Sequence, residues 1–203
     1  MSLFRYYYQT SAEVPHGSAT FYADEAVGGR VVCNSATYSA ARGGTGTLSI
    51  NVGSYTVGQL ESSSVFYCYE VCLAFDTSSI PSGATIATAT FAAYPADVST
   101  ANAYTMRMRS VNWGATLATA DYVAGADLSG YTEVANLAST SWTAGAYRTF
   151  TDVALAANVT KAGWSYFLIS SSLHEAGTQP GSGQDERLAL EPTTNRPRLE
   201  VTW

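Results

Sequence analysis

The sequence predicts an all-β protein that folds as a single antiparallel two-sheet β-sandwich of jelly-roll-like form. Residues that favour strands and turns dominate it, with 24 threonines, 23 serines, 17 glycines and 14 tyrosines against a single lysine. Apolar and polar residues alternate with a period of two in several short segments. The 203 residues contain no internal repeat and no break in composition, so one domain is expected.

The N-terminal half contains the clearest strand pattern. Alternation through residues 65–75 puts two sets of side chains on opposite faces. One face carries Tyr67, Tyr69, Val71, Leu73 and Phe75, and the other carries Cys68, Glu70, Cys72 and Ala74. Two short strands are predicted around Gly28 and Gly29, and single strands at residues 47–52, 84–94 and 104–111. Turn-rich residues predict loops at 40–46 and 76–83.

The C-terminal half is less regular. Residues 114–147 predict loops and short turns, and strand character resumes at 148–153 before a single helical turn at 155–159. Residues 163–170 are apolar on both faces, which is typical of a central strand. A Gly/Pro loop at 177–183 and two strands at 187–191 and 198–203 close the chain. The predicted domain spans residues 18–203 and follows an N-terminal arm at residues 1–17.

One run of residues carries a family resemblance. Phe75-Asp76, Ile80-Pro81 and Gly83-Ala84 follow one another into the next predicted strand, and further matches occur at 113–117, 163–169 and 196–203. From Tyr69 onward the chain resembles the bacterial DNRLRE-type β-sandwich domain, a relative of carbohydrate-binding modules. The family's Ser-Arg-Glu before the last strand is reduced here to Glu191 after Leu190, and its Phe-Asp-Val-Thr order is scrambled at 150–153. The resemblance implies a sandwich fold and a binding module.

The charge balance excludes two classes of partner. Ten basic and 16 acidic side chains give a net charge of −6 and a pI near 4.8. Nucleic acids and anionic membranes both select clusters of Lys and Arg, so neither is an expected partner. The sequence has no stretch of roughly 18 apolar residues, so no membrane helix is predicted. Residues 1–20 lack the basic and apolar regions of a secretion signal.

Three cysteines leave two alternatives open. Cys68 and Cys72 lie four residues apart in an extended segment, about 13 Å, which is too far for a disulfide. Cys33 could bridge to one of them, or all three could be buried, reduced thiols. The sequence has no Cys-x-x-Cys pair and no histidine near the cysteines, so no zinc site is predicted.

Residues for catalysis or metal binding are sparse. A Ser-His-Asp triad would need His16 or His174, and both are expected at the surface. Carboxylate doublets such as Asp185/Glu186 point to opposite faces of a strand and do not converge on one substrate. We therefore expect no enzyme, no catalytic residue and no organic cofactor. A structural calcium ion is kept as an alternative, and the carboxylates that could contribute are Glu25, Asp76, Asp152 and Asp185.

Aromatic side chains in predicted loops give the best functional signal, because sugar rings stack their C–H faces on Trp and Tyr. The candidate glycan-binding residues are Trp142, Tyr131, Tyr122 and Tyr147. Trp113 and Trp164 are expected in the core, and Arg107 and Arg109 on a solvated outer face. The arm carries Phe4, Tyr6, Tyr7 and Tyr8, which are predicted either to pair as an outer strand or to contact an assembly partner.

These observations favour a non-enzymatic virion accessory protein, such as a phage minor tail, fibre or capsid-decoration protein. It would use the sandwich for adhesion to a host-surface glycan or to other virion proteins, and it would self-associate on the virion surface. The alternative is the carbohydrate-binding module of a secreted, extracellular bacterial protein. A small glycan-active enzyme is the least favoured class, and the fold does not decide among the three.

Overall fold

The computed structural model describes residues 14–203, without the side chains of residues 98–100. The predicted assembly residues Phe4, Tyr6, Tyr7 and Tyr8 lie outside that range. The strands are β1 (Ser18–Tyr22), β2 (Gly29–Ser35), β3 (Thr47–Val52), β4 (Tyr55–Ser62), β5 (Val65–Asp76), β6 (Thr88–Ala93), β7 (Pro95–Thr100), β8 (Thr105–Ser110), β9 (Glu133–Ala138), β10 (Arg148–Thr149), β11 (Thr151–Asp152), β12 (Trp164–Ser171), β13 (Asp185–Leu190) and β14 (Arg198–Thr202). The helices are α1 (Tyr38–Arg42) and α2 (Ser172–Ala176).

The strands form two antiparallel sheets, which confirms the predicted all-β sandwich. The small sheet has the order β1-β14-β6-β10. The large sheet has the order β11-β9-β8-β12-β5-β4-β13-β7, and β2 and β3 extend it from the other edge of β5. Four short 3-10 helices also occur in the described residues. Of the two α-helices there, neither has the length and apolar character needed to span a membrane.

Strand β5 organises the large sheet because one of its edges is shared by two strands. Its residues 71–76 pair with β12, and its residues 65–69 pair with β4. Strand β2 runs along residues 66–72 and overlaps both, so it occupies the opposite edge. Helix α2 begins where β12 ends and contacts β4. The sheet therefore splits at the middle of β5.

The main core lies between the sheets and follows the predicted alternation. Val71, Leu73 and Phe75 of β5 are fully buried there. The ring of Phe75 packs edge-on against Phe91 of the small sheet, with centroids 6.3 Å apart. The opposite face of β5 is buried too, because the segment between β8 and β9 packs over it with Trp113, Leu117, Val123 and Leu128. Both faces of the long strand are thus covered along most of its length.

Several elements differ from the sequence prediction. Strands β4, β7 and β9 and helix α2 were not predicted, and α1 overlaps a predicted loop. Strand β4 escapes the apolar alternation because it contains Gly58 and buries the polar side chains of Gln59 and Glu61. The three cysteines are buried and unbridged, as one of the two alternatives expected.

Gly58 is the residue at which β4 leaves β5. Its φ is +120°, and a Cβ atom there would lie 2.1 Å from the carbonyl oxygen of Glu186 in β13. We expect Gly58→Ala to lower the free energy of unfolding by about 2–4 kcal/mol, since both the backbone and the neighbouring strand must shift. Chemical denaturation measures this value.

Gly83→Ala is the matched control, because a Cβ atom at Gly83 meets nothing within 4 Å. Its effect should stay within about 0.5 kcal/mol. Equal losses in the two variants would contradict the role assigned to Gly58.

Candidate functional site

A surface groove lies where β5, β4 and β13 pair beyond the cover of the small sheet. Tyr67 and Tyr69 share the face of β5 that carries Val71, and their rings lie nearly parallel, 15° apart with centroids 6.2 Å apart. The groove has a volume of about 530 Å³. We call it the tyrosine groove; it is lined by Leu60, Glu61, Ser62, Ser63, Tyr67, Tyr69, Gly183, Asp185 and Arg187.

Charged side chains frame the rings in fixed positions. The guanidinium groups of Arg30 and Arg187 each lie 5.5 Å from the centroid of the Tyr69 ring. Arg187 donates two hydrogen bonds to the carboxylate of Asp185, from Nε at 2.8 Å and from Nη2 at 2.7 Å. Such a paired, planar contact holds both side chains in one geometry. The groove walls are therefore preformed.

Glu61 ties the groove to the loop before β13. One of its carboxylate oxygens accepts a hydrogen bond from the backbone N–H of Ser64 at 2.6 Å, and the other accepts one from Gly183. Burial raises the pKa of Tyr69, while the nearby Arg187 and Arg30 oppose the rise. The side-chain hydrogen bond to Asp185 raises the pKa of Arg187, so this arginine stays charged. Two cations and two anions thus balance around an aromatic surface.

This arrangement suits a small polar ligand with flat apolar patches. Pockets that fix such ligands combine aromatic contact with a few placed donors and acceptors. The groove offers Tyr rings, guanidinium donors and carboxylate acceptors on three paired strands. Sequence reasoning put Tyr67 and Tyr69 on the same face of β5 as Val71, Leu73 and Phe75 and did not name them as ligand-binding residues. Two aromatic residues at positions i and i+2, before the aliphatic part of the strand, were the available signal.

The four predicted glycan-binding aromatics do not form one surface: Tyr122 and Tyr131 line a common pocket, whereas Trp142 and Tyr147 lie elsewhere. Trp142 is only 1 % exposed, and its Nε1 donates a hydrogen bond to the carbonyl oxygen of Asp97, which leaves no open ring face for a sugar. Tyr122 points inward and donates to the carbonyl oxygen of Ala41 at 2.8 Å. Tyr131 is 41 % exposed and shares a pocket of about 220 Å³ with Trp113 and Tyr122. Tyr147 lies beside the small sheet, against Arg198.

His174 corrects another expectation, since it is fully buried rather than at the surface. Its Nε2 lies 3.0 Å from the hydroxyl oxygen of Tyr122, and its Nδ1 lies 3.7 Å from Oε1 of Glu70. The other carboxylate oxygen of Glu70 accepts a hydrogen bond from the backbone N–H of Val123 at 3.0 Å. Glu70 and His174 are both 0 % exposed, so this chain of groups is sealed inside the protein.

The direction of the hydrogen bonds follows from Tyr122. Because its hydroxyl donates to Ala41, it can accept from His174, which puts the imidazole proton on Nε2 and the lone pair on Nδ1. Burial raises the pKa of Glu70 to about 8, against the opposing effects of the Val123 N–H and Arg109. Burial also lowers the pKa of His174 to about 4. At neutral pH both are uncharged, and Oε1 of Glu70 and Nδ1 of His174 face each other without a hydrogen bond between them.

Arg109 is also buried, contrary to the predicted solvated face. It is 1 % exposed, and it donates hydrogen bonds to Ser170 at 2.8 Å and to the carboxylate of Glu175 at 2.8 Å. Arg107 donates to the same carboxylate oxygen at 2.9 Å. Helix α2 therefore supplies Glu175 to neutralise the outer face of β8, while Met106 and Met108 face the core.

The proposed calcium ligands are used locally and stand apart. Asp76 accepts a hydrogen bond from the Ser78 N–H, Asp152 accepts one from the Leu155 N–H, and Asp185 pairs with Arg187. The hydrogen bonds from Ser78 lower the pKa of Asp76. Across residues 14–203, no three His, Cys, Asp or Glu side chains lie together as metal ligands would.

Comparisons with known proteins add no identity. No family model matches the chain, and no curated protein matches it. The resemblance to the DNRLRE-type domain thus stays a prediction.

The buried Glu70–His174 pair predicts a stability profile with a loss at alkaline pH. The pKa of Glu70 rises from 4.5 to about 8 on folding, so its contribution to stability is lost as pH rises through that window. The pKa of His174 falls from 6.5 to about 4, so its contribution is lost as pH falls below 6.5. The two changes offset each other between about pH 4.5 and 6.5. Above pH 6.5 the free energy of unfolding should fall by about 1.4 kcal/mol per pH unit, so that it is roughly 2 kcal/mol lower at pH 8.

Glu70→Gln should abolish this alkaline loss, because the amide has nearly the same shape as the carboxyl group and cannot ionise. Urea denaturation at pH 6.5, 7.25 and 8 measures the slope. Glu25→Gln removes one exposed carboxylate and should keep the wild-type slope. An unchanged slope in Glu70→Gln would show that another group causes it.

Proposed function

We propose that this chain is a non-enzymatic attachment protein that binds a neutral glycan in the tyrosine groove. The observation that carries the proposal is the pair of near-parallel rings of Tyr67 and Tyr69 beside the fixed Arg187–Asp185 pair. Tyrosine faces suit the C–H faces of pyranose rings, while guanidinium and carboxylate groups suit sugar hydroxyls. The balance of two cations and two anions favours an uncharged ligand.

Rigidity supports binding at this position. Tyr67 and Tyr69 project from a central strand, and Arg187 and Asp185 from β13, so little side-chain freedom is left to lose when a ligand binds. Sites on strands hold their geometry better than sites on loops. The predicted residue Trp142 is buried, and Tyr122 and Tyr131 belong to a separate pocket.

The biological setting that we favour is a virion accessory protein, with the groove used for host-surface attachment. The aromatic residues Phe4, Tyr6, Tyr7 and Tyr8 support this setting, because Tyr and Phe are enriched where proteins contact one another. A carbohydrate-binding module of a secreted bacterial protein is the alternative, and it would use the same groove.

Tyr67→Ala tests the groove. It should weaken binding to the best neutral ligand of a glycan array by about tenfold or more, because it removes the more exposed of the two rings. Isothermal titration measures the affinity. Tyr67→Phe keeps the ring and should retain most of the binding.

Tyr131→Ala is the matched control, since it removes an exposed tyrosine of the separate pocket. If the control loses binding and Tyr67→Ala does not, the site lies in the other pocket. If no neutral glycan on the array binds the wild-type protein, the proposed function fails.

Self-association is the second part of the virion proposal. We expect light-scattering chromatography at micromolar concentration to give a closed oligomer, and we expect deletion of residues 1–13 to reduce its size. A monomer with and without calcium would favour the secreted module instead.

A further inference from the structure

The outer face of the small sheet presents three ordered rows of side chains. Cross-strand register aligns Ser18, Thr202 and Thr88 in one row, Thr20, Glu200 and Thr90 in the next, and Tyr22, Arg198 and Ala92 in the third. The intervening residues Phe21, Leu199 and Phe91 point into the core. The first two rows line a shallow depression of about 450 Å³. We call these three rows the small-sheet face.

Two arginine–tyrosine stacks stand at one end of this face. The guanidinium of Arg198 lies 4.2 Å from the centroid of the Tyr147 ring, and that of Arg196 lies 5.3 Å from the centroid of the Tyr22 ring. The Tyr147 hydroxyl donates a hydrogen bond to the carbonyl oxygen of Arg196 at 3.2 Å, which links the two stacks. Tyr94 packs edge-on against Tyr147 at 5.5 Å. Tyr22 is 46 % exposed.

The charge at these stacks is opposite to that of the whole chain. The chain carries a net charge of −6. Here Arg198 pairs with the carboxylate of Glu200, whose Oε1 lies 3.1 Å from its Nε, while Nη1 of Arg196 donates a hydrogen bond to the carbonyl oxygen of Ala23 at 3.4 Å. Arg196 forms no ion pair with any residue that the structure describes. A flat guanidinium held against a ring has lost most of its freedom and keeps N–H donors at its edge.

We propose that the small-sheet face is a second glycan-binding site, which takes a polysaccharide bearing carboxylates, that is, a polyuronate. A planar carboxylate matches the donor fork of a guanidinium. The exposed Tyr22 ring offers a surface for the sugar ring that bears the carboxylate. The row of Thr and Ser hydroxyls extends the face over the length of further sugar units. This site differs from the tyrosine groove in residues, in sheet and in charge.

Polygalacturonate is the probe, and the same polymer with its carboxylates reduced to alcohols is the matched ligand control. We expect calorimetric titration at low salt to show binding of polygalacturonate at least about tenfold tighter than binding of the reduced polymer. Added salt should weaken only the former, because screening acts on exposed charges.

The double variant Arg196→Gln/Arg198→Gln should lower the affinity for polygalacturonate by about tenfold or more. The variant Lys161→Gln/Arg107→Gln removes the same charge elsewhere and should stay within about twofold of wild type, which separates a built site from general attraction. Tyr22→Ala, at an exposed side chain, should also weaken binding. Thermal unfolding checks that each variant is folded.

Three results would overturn the proposal: no binding of polygalacturonate by the wild type, equal binding of the reduced polymer, or equal losses in the two double variants. Tyr67→Ala should leave polygalacturonate binding unchanged. The two proposed sites are therefore tested independently, because each has its own ligand and its own variants.

Discussion

The division of one edge of β5 between β12 and β4 is the constraint on which the rest of the structure depends. A strand of twelve residues exposes more backbone donors and acceptors than either eight-residue neighbour can satisfy. The sequence meets this need with two partners in succession. Gly58 allows the departure of β4, and α2 fills the space where β12 stops. At this division the tyrosine groove lies on one face of β5, and the buried Glu70–His174 pair lies on the other.

On one side of β5, the division leaves Tyr67 and Tyr69 beyond the reach of the small sheet. On the other side, Glu70 lies beneath α2 and the segment around Val123. A carboxyl group at this depth is tolerable because it is neutral at pH 7 and accepts a hydrogen bond from the Val123 N–H. The imidazole of His174, also neutral, lies 3.7 Å from its other oxygen. The same split that opens a ligand groove thus also creates a site where two titratable groups must stay uncharged.

The period-two pattern predicted the fold because it records which face of a strand is buried. It gave the two faces of β5, the bounds of β3 and the central position of β12. It missed β4 because a strand that buries Gln59 and Glu61 has no apolar alternation. It also put His174 and Arg109 at the surface, since their burial depends on partners in distant elements. Glu70 and Glu175, far apart in sequence, are the partners that make those positions tolerable.

The candidate site was harder to predict than the fold for a related reason. Tyr67 and Tyr69 follow the same alternation as Val71, so the pattern alone could not show that the small sheet ends before them. Trp142, in a predicted loop, instead fills the core and bonds to Asp97.

Charge pairing then distinguishes the two surfaces that the fold leaves open. At the tyrosine groove Arg187 is neutralised by Asp185 on its own strand, whereas Arg196, in the turn before β14, has no ion-pair partner in the described part of the chain. Desolvating a balanced pair costs less when the ligand is uncharged, and an unbalanced guanidinium gains most from an anion. The proposed difference between a neutral and an acidic sugar thus follows from the local charge of each surface and not from the net charge of the chain.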